Sequence, residues 1–335
     1  MEAVPVSVIT GFLGSGKTTL LARLLLDPAL QRTAVIMNEL GAVALDHLLI
    51  ETSDERTVVL DSGCVCCTVR SDLLRTAAGL LARRAAGAVP AFERIVIETT
   101  GLADPAPILQ ALMTDPALAD ALRLESVIAT VDAAAGAATL DAHPESVKQA
   151  AVADRIVLTK TDLADPAANG LAERLHALNP AAPQLAAVHG TVDTCRLFDG
   201  GLYETAARGP DVLRWLAAEA VQHDSRHDEA ITSFCLRRTA PLHAVTLSLF
   251  LQVLAEHCGA DLLRLKGLVD VRESPGRPAV IHGVQHVFHP PAWLGAWPDG
   301  DCTTRIVVIA RGLDPRWLED LLDALDDEVE KCSIC

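Results

Sequence analysis

The sequence has no excess of basic residues. Its 28 lysines and arginines stand against 44 aspartates and glutamates, which gives a formal net charge of −16 at pH 7. Nucleic-acid backbones and anionic membrane surfaces are negative and would be repelled by such a protein. We therefore expect neither nucleic acid nor a membrane as a partner. The acidity instead suits basic proteins or metal cations.

Long apolar runs and a secretory leader are also missing. No stretch approaches the roughly 20 apolar residues that span a bilayer, and the N-terminal MEAVPVSVIT has neither a basic region nor a cleavage site. These absences predict a cytoplasmic protein. In a reducing cytosol, the nine cysteines are expected to be thiols or metal ligands rather than disulfides.

Internal repeats and low-complexity tracts are absent as well, so the organisation has to be inferred from the order of apolar runs. In residues 1–205, short Val/Ile-rich runs alternate with helix-length segments, which predicts an α/β domain with a mostly parallel sheet. The runs are Val4–Thr10, Thr33–Met37, Arg94–Glu98, Ser126–Val131 and Arg155–Thr159. A segment rich in Gly, Asp and His at 206–229 reads as a linker.

In residues 230–335 strands and helices no longer alternate regularly, and this order predicts a smaller α+β domain with an antiparallel sheet. The expected order is strand, helix, three strands and a closing amphipathic helix. The strands are expected at Ala230–Arg238, Leu262–Arg272, Ala279–Phe288 and Thr303–Arg311, and the helices at Pro241–His257 and Pro315–Glu330.

The first run of the chain leads directly into a phosphate-binding loop. GFLGSGKT, from Gly11 to Thr18, matches the P-loop pattern GxxxxGK[ST] between a strand and a helix. Lys17 is expected to reach the β- and γ-phosphates, and the Thr18 hydroxyl to ligate Mg²⁺. This context predicts a P-loop NTPase domain. The expected nucleotide-binding residues of the loop are Gly11, Gly14, Ser15, Gly16, Lys17, Thr18 and Thr19.

Two further motifs follow predicted strands. Glu98 ends the run Arg94–Glu98 and is expected to face Mg²⁺, while Gly101 in ETTG can offer its N–H to the γ-phosphate. TKTD, from Thr159 to Asp162, stands where GTPases carry Asn-Lys-x-Asp. Asp162 can accept two hydrogen bonds from guanine that adenine cannot donate, and the stem of Lys160 can pack along the ring. GTP is therefore favoured over ATP, although Thr159 replaces the usual asparagine.

Three cysteines lie within four residues in GCVCC. Thiolates of Cys64, Cys66 and Cys67 can fill three corners of a tetrahedral Zn²⁺ site and leave the fourth position open, which suits a metal that must later leave. Glu39 in NELG can supply the fourth ligand or orient the hydrolytic water. Buried thiols that act as small hydrophobes and a redox CxxC pair remain alternatives.

Other candidates for metal binding are weaker. His223 and His227 would share a helical face in the linker, with Asp224 and Asp228 beside them. On one strand, His282 and His286 would share a face and His289 would point away. Cys332 and Cys335 form a C-terminal CxxC that is either a metal-capture site or an uninvolved end. The isolated cysteines are expected to pack in the core: Cys195, Cys235, Cys258 and Cys302.

The motifs GFLGSGKTTL, NELG followed by Asp46, GCVCCTVRSDL, ETTGLADP and LTKTDL occur in an order that resembles the CobW-type GTPases. These metallochaperones are related to the GTPases that mature urease and hydrogenase, and the resemblance covers nearly the whole chain. It implies Mg²⁺-GTP on Gly14 to Thr19, a transition metal on the three thiols and slow intrinsic hydrolysis. Two departures are Ala42, where many members carry a second Glu, and the lack of a long His-rich linker.

The expected function is that of a GTP-hydrolysing metallochaperone for Zn²⁺, with Co²⁺ as the next choice, that delivers the metal to a client metalloprotein. Whether the chain forms a homo-oligomer is left open. Two rivals remain. A P-loop small-molecule kinase predicts ATP preference and phosphoryl transfer, and a non-catalytic metal or redox sensor predicts negligible turnover.

Overall fold

A computed structural model describes residues 3–37, 58–61, 69–115, 118, 120–164, 170–198, 231–298 and 300–333. The chain divides into two compact units, Met1–Leu175 with Ala182–Gly201, and His176–Ala181 with Leu202–Cys335. The predicted linker 206–229 lies outside the described residues, so the domain boundaries at 205 and 230 stay a prediction.

The first unit is built on a seven-stranded sheet with the order β3-β2-β4-β1-β5-β6-β7. Every pairing in it is parallel, which confirms the predicted α/β class. The strands are β1 Val4–Gly11, β2 Thr33–Met37, β3 Val58–Asp61, β4 Arg94–Glu98, β5 Leu122–Asp132, β6 Arg155–Thr159 and β7 Gln184–Ala186.

Helices connect these strands. They are α1 Lys17–Leu24, α2 Val69–Ala85, α3 Ala106–Thr114, α4 Gly136–Ala142, α5 Pro144–Ala151, α6 Leu171–Leu178 and α7 Thr194–Phe198. On one sheet face, Ile9, Ile128 and Val157 pack against Leu20 and Leu24 of α1. The central strands are apolar on both faces because helices cover both, as expected for a parallel sheet.

Two strands of this sheet were not predicted. β3 is a four-residue run and β7 a three-residue run, and both lie at an edge of the sheet. Such short runs carry too little periodicity to be told from a loop. Their pairing with β2 and β6 is what defines them.

The second unit contains an antiparallel sheet, β11-β10-β9-β13-β8, with β12 paired to β10. Its strands are β8 Ile231–Arg238, β9 Leu262–Val269, β10 Ala279–Val284, β11 Val287–Phe288, β12 Ala292–Trp293 and β13 Thr304–Arg311. Two helices accompany it, α8 Ala244–Val253, which continues as a π-helical turn Leu254–Cys258, and α9 Pro315–Ser333. The expected α+β architecture is confirmed.

One side of this second sheet forms a closed apolar core with the helices. Phe250 of α8 and Leu318 of α9 are fully buried among strand residues that include Leu265 and Val308. The single strand predicted over 279–288 is wrong, because the chain reverses between β10 and β11. Gln285 has φ 52° at this turn, and Gly283 pairs with Phe288 across it.

Candidate nucleotide site at the carboxyl edge of the parallel sheet

The phosphate loop connects β1 to α1 in a conformation that requires glycine. Gly11, Gly14 and Gly16 have φ of 141°, 71° and 90°, a region that side chains disfavour. A Cβ on Gly11 would lie 2.3 Å from Thr130 Oγ1 and 2.5 Å from the Thr130 carbonyl oxygen. The loop therefore packs its backbone directly on β5.

Hydroxyl groups from two neighbouring strands hold this loop. Ser15 Oγ lies 2.6 Å from Thr130 Oγ1, and Thr159 Oγ1 donates to the Ser15 carbonyl at 2.7 Å. Thr159 is the residue that replaces the asparagine usual in GTPases. Its hydroxyl also donates to the Val131 carbonyl at 3.2 Å, so this position ties the end of β6 to the phosphate loop.

Lys17 begins α1 and folds back over the loop. Its Nζ donates to the carbonyl oxygens of Gly11, at 3.0 Å, and Phe12, at 3.2 Å, and the residue is 6% exposed. This contact fixes the ammonium group above the loop. The backbone N–H groups at the first turn of α1 and this charge together favour an anion there.

Thr18 and Glu98 meet beside the loop. Thr18 Oγ1 donates to Glu98 Oε1 at 2.6 Å, and Glu98 is 1% exposed at the end of β4. A hydroxyl and a carboxylate oxygen are the hard donors that Mg²⁺ prefers when it also binds substrate phosphates. The residues present therefore fit a magnesium ion, as the sequence predicted for this pair.

Gly101 lies against the phosphate loop itself. A Cβ at this position would be 2.7 Å from the Leu13 backbone nitrogen and 2.8 Å from its Cα, so the loop after β4 can approach this closely only with glycine. From α5, Gln149 Nε2 donates to the carbonyls of Gly101, at 3.2 Å, and Ala103, at 3.0 Å. The loop that follows Glu98 is thus fixed from both sides.

The predicted base-reading motif begins at the end of β6. Lys160 has φ 55°, and its Nζ donates to Asp132 Oδ2 at 2.6 Å. Burial raises the pKa of Asp132, but the hydrogen bonds from Lys160 and from the backbone N–H groups of Ala135 and Ala134 outweigh it, so the pKa lies below its usual value. The side chain of Asp162 is 29% exposed and remains accessible to a base.

Two residues that no sequence motif indicated lie beside the predicted base site. His189 and Gly190 follow β7, and His189 Nε2 lies 3.9 Å from Asp162 Oδ2. A Cβ on Gly190 would be 2.7 Å from the Thr19 carbonyl oxygen, and Arg23 of α1 donates to the His189 carbonyl at 3.3 Å. The available signal was a glycine after a short apolar run, which is too common to single out.

The structure brings most of the predicted nucleotide residues to one edge of the sheet, because β1, β4, β5 and β6 all end there. Ile9 pairs with Glu98, Gly11 with Thr130, and Asp132 with Thr159. Glu39, Cys64, Cys66 and Cys67 lie outside the described residues. So do the linker residues His223, Asp224, His227 and Asp228, and Cys335.

The strand ends that precede the predicted metal motifs are described. Met37 pairs with Asp61 on one side and with Glu98 on the other. The segment with Glu39 follows Met37 in sequence, and the segment with the three cysteines follows Asp61. The strands β2 and β3 therefore end at the edge of the sheet where Glu98 lies.

The geometry predicted for the C-terminal histidines is wrong. His289 does not point away from His282, because the hairpin turn returns the chain: the His289 N–H donates to the His282 carbonyl at 3.0 Å and the ring centroids are 6.3 Å apart. His286 Nδ1 instead lies 3.1 Å from the Ala255 carbonyl. Burial and the nearby Arg264 charge lower the pKa of His289 to about 4, and a cation beside Arg264 would be repelled.

The prediction that the isolated cysteines pack in the core is confirmed for Cys258 and is wrong for Cys195 and Cys302. Cys258 is buried and burial raises its pKa, and Cys235 is half-buried, but Cys195 and Cys302 are exposed. Cys332 is exposed on α9. Within the described ranges, no three His, Cys, Asp or Glu side chains are grouped so that they could hold a metal ion.

None of the helices described is long and apolar enough to cross a bilayer.

Comparison with known proteins agrees with this geometry. Residues 5–186 match the family model described as CobW/HypB/UreG, nucleotide-binding domain, and residues 231–326 match the cobalamin synthesis protein cobW C-terminal domain. The zinc chaperone YjiA of Escherichia coli is 33% identical over 302 residues, 89% of this chain and 91% of the relative. The zinc chaperone CobW of Pseudomonas aeruginosa is 32% identical over 366 residues, 94% and 89% of the two chains.

A solved structure supports the same assignment over both units. The crystal structure of Zn(II)-bound YjiA GTPase from E. coli has a TM-score of 0.74 and 28% identity, and it covers 97% of this chain and 99% of the other. With a family model over more than half of its residues and relatives that align over almost its full length, the chain belongs to the CobW/HypB/UreG family.

Proposed function

We propose that this protein is a Mg²⁺-dependent GTPase and zinc metallochaperone, which binds Zn²⁺ at Cys64, Cys66 and Cys67 and delivers it to a client metalloprotein. The single observation that carries the proposal is the convergence of the phosphate loop, the Thr18–Glu98 pair and the Asp162 motif at one sheet edge. Relatives named zinc chaperone and a neighbour named a Zn(II)-bound GTPase support it.

The nucleotide would be held by groups whose positions are already fixed. The backbone N–H groups of Gly14 to Thr19 and the Lys17 ammonium would bind the phosphates. Bound magnesium would neutralise charge that develops on the phosphate oxygens, and Thr18 and Glu98 would hold it. Asp162 would accept the guanine N1–H and amino N–H, which gives preference over adenine.

Hydrolysis would depend on few groups. Gly101, close to Leu13, would offer its N–H to the γ-phosphate, and Lys17 would stabilise negative charge on the transferred group. Glu39 would orient the attacking water or act as the fourth metal ligand. Because these few groups supply only positioning and charge stabilisation, we expect slow intrinsic turnover.

Nucleotide state and metal binding would be coupled through neighbouring strand ends. The γ-phosphate and Mg²⁺ would hold the segments after Met37 and Glu98, and hydrolysis would release them. Met37 pairs with Glu98 on one side and on the other with Asp61, the residue after which the cysteine segment follows in sequence. Cobalt remains the alternative cargo, since thiolates accept both ions.

We assign the proposed functions to the domains that the sequence predicts. Residues 1–205 would form the GTPase domain with the metal motif, 206–229 the linker and 230–335 the C-terminal domain. A client metalloprotein is the proposed partner, and the negative net charge would favour a client with a basic surface.

Hydrolysis of GTP and of ATP, each with and without Mg²⁺ and Zn²⁺, tests the enzymatic part. We expect Mg²⁺-dependent hydrolysis with GTP preferred. Glu98→Gln should lower the rate by about 100-fold or more, because the amide oxygen still accepts from Thr18 while the negative charge is lost. Transfer of phosphate from ATP to a small acceptor would favour a kinase, and negligible turnover with metal and nucleotide present would favour a sensor.

Zinc titration tests the chaperone part. Cys66→Ser should weaken Zn²⁺ binding and leave GDP binding intact, while Cys302→Ser, which replaces an exposed isolated thiol, should change neither. The affinity for Zn²⁺ should differ between the GDP form and the form with a non-hydrolysable GTP analogue. Equal affinities in the two forms would refute nucleotide-controlled release.

A further inference from the structure

The loop that follows β4 is held at its start by β1. The Thr99 N–H donates to the Ile9 carbonyl at 2.9 Å, and Thr99 Oγ1 donates to Thr10 Oγ1 at 3.0 Å. Thr99 is buried, and its contacts continue the pairing of Ile9 with Glu98 by one residue. The position of Glu98, the proposed Mg²⁺ ligand, is therefore fixed by the sheet.

The next four residues of this loop form a turn. The Ala103 N–H donates to the Thr100 carbonyl at 3.1 Å, which is the hydrogen bond that closes a β-turn. Gly101 is the second residue of the turn, and a Cβ on it would lie 2.7 Å from the Leu13 backbone nitrogen. The turn therefore approaches the phosphate loop through Gly101, and its orientation decides where the Gly101 N–H points.

One side chain of α5 holds this turn. Gln149 Nε2 donates to the Gly101 carbonyl at 3.2 Å and to the Ala103 carbonyl at 3.0 Å, so a single amide group binds the second and the fourth residue of the turn. Gln149 is 1% exposed, and hydrogen bonds are stronger where water is excluded. The orientation of the turn therefore depends on Gln149.

The helix that carries Gln149 is packed on the sheet. Ala150 and Ala151 of α5 are fully buried, and the neighbouring Lys148 forms an ion pair of 3.1 Å with Asp104, the residue that follows the turn. A side chain on a packed helix is positioned more precisely than one on a loop. Helix α5 therefore provides a fixed support from which Gln149 can hold the turn.

We propose that Gln149 is a positioning residue for the γ-phosphate, because it holds the turn in which the Gly101 N–H is directed at that group. It thereby sets the affinity for GTP relative to GDP, an inference that rests on the proposed GTPase function. Stability alone does not account for this amide, since its buried Oε1 finds no partner among the described residues and an unsatisfied buried acceptor is destabilising. GDP lacks the γ-phosphate, so its affinity should not depend on the turn.

Gln149→Met tests this role, because methionine has a similar volume but cannot donate to the two carbonyls. Affinities of the full-length protein for GDP and for a non-hydrolysable GTP analogue are measured with Mg²⁺ by competition against a fluorescent GDP analogue. The GTP analogue should bind the variant about 10-fold more weakly, since a hydrogen bond to a charged group is lost, and the GDP affinity should stay unchanged. Equal losses for both nucleotides, or no loss for either, would overturn the proposal.

Gln184 provides a matched control, because its Nε2 donates to the Ala172 carbonyl at 2.7 Å. Gln184→Met removes the same kind of hydrogen bond elsewhere in the first unit and should leave the ratio of the two affinities unchanged. If circular dichroism shows that Gln149→Met is unfolded, Gln149→Asn, whose amide is one methylene shorter, should show the selective loss, and a wild-type ratio in it would overturn the proposal. Failure of the wild-type protein to bind GDP would instead refute the proposed GTPase.

Discussion

Thr159 and Asp162 stand at the first and last positions of the segment that corresponds to the Asn-Lys-x-Asp motif of GTPases. Asp162 keeps an accessible carboxylate, and Thr159 uses its hydroxyl to hold the phosphate loop through Ser15. The replacement of the usual asparagine therefore leaves in place the Asp162 carboxylate that we propose binds the base. The contact of Thr159 with the loop was not predictable from sequence, because it joins residues 144 positions apart.

Asp162→Asn should exchange the base preference. GTP affinity should fall by about 100-fold, since two hydrogen bonds to a charged acceptor are each worth about 1.5–3 kcal/mol. Xanthosine triphosphate should gain affinity, because the new amide can donate to the 2-oxo group of xanthine. Competition against a fluorescent GDP analogue measures both changes. Asp193→Asn, at an exposed loop position, is the control, and an unchanged GTP affinity in Asp162→Asn would remove this residue from the base site.

Asp132 should make stability depend on pH in the acid range. Its pKa in the folded protein lies below the ordinary value of 3.8, so the unfolded chain binds its proton more readily. The stabilisation is then present above about pH 4 and is lost as the pH falls through the lowered folded-state pKa. We expect Asp132→Asn to reduce the free energy of unfolding by about 1 kcal/mol at pH 7, and by less at pH 3.

Urea denaturation of wild type and Asp132→Asn at the two pH values checks this expectation. Asp141→Asn is the control, because Asp141 forms an exposed ion pair with Arg174 and such pairs contribute little. A difference between wild type and Asp132→Asn that grows toward pH 3 would have the wrong sign and would contradict the assignment.

At the scale of elements, α9 is held in the second unit both by apolar packing and by hydrogen bonds. Leu318 and Leu322 lie in the core of the second unit. Asp326 is 3% exposed and accepts from Arg238 Nη2 at 2.8 Å and from Thr246 Oγ1 at 2.8 Å. The amphipathic pattern predicted this helix, but the register of its polar anchor depends on β8 and α8.

Leu318→Ala should cost about 2–5 kcal/mol of unfolding free energy, since it leaves a cavity in a fully buried site. The neighbouring Trp317 is 44% exposed, and Trp317→Ala should cost much less. Hydrogen exchange of β9 and β13 amides measures both. Similar losses of protection in the two variants would show that α9 does not pack through Leu318.

Strands were predictable where a Val/Ile-rich run stands between two helices, although β5 was expected only over Ser126–Val131 and extends from Leu122 to Asp132. β1, β2, β4 and β6 were expected within a residue of their observed bounds, because Val/Ile-rich runs between helices indicate buried parallel strands. β3, β7 and the β10–β11 turn were not, because these pieces are short and are defined by their partners. The wrong geometry for His289 follows from that missed turn.

At the scale of the whole molecule, each unit has its own hydrophobic core. Ligand binding stabilises the state that binds it, by about 2.7 kcal/mol at 100 times the dissociation constant. Mg²⁺ with a GTP analogue should therefore increase hydrogen-exchange protection of β1 and β4 amides, and leave β9 and β13 amides unchanged. An equal increase in hydrogen-exchange protection in both sheets on nucleotide binding would contradict separate cores.

The sequence by itself determined the family, the parallel and antiparallel classes of the two sheets and the identity of the nucleotide motifs. These depend on local spacing: a glycine loop between strand and helix, and polar residues directly after buried strands. Only the tertiary structure decided which hydroxyls hold the loop and that His189 lies beside Asp162. Each of these joins residues that are distant in sequence, and such contacts form only when parallel strands bring their carboxyl ends to one edge.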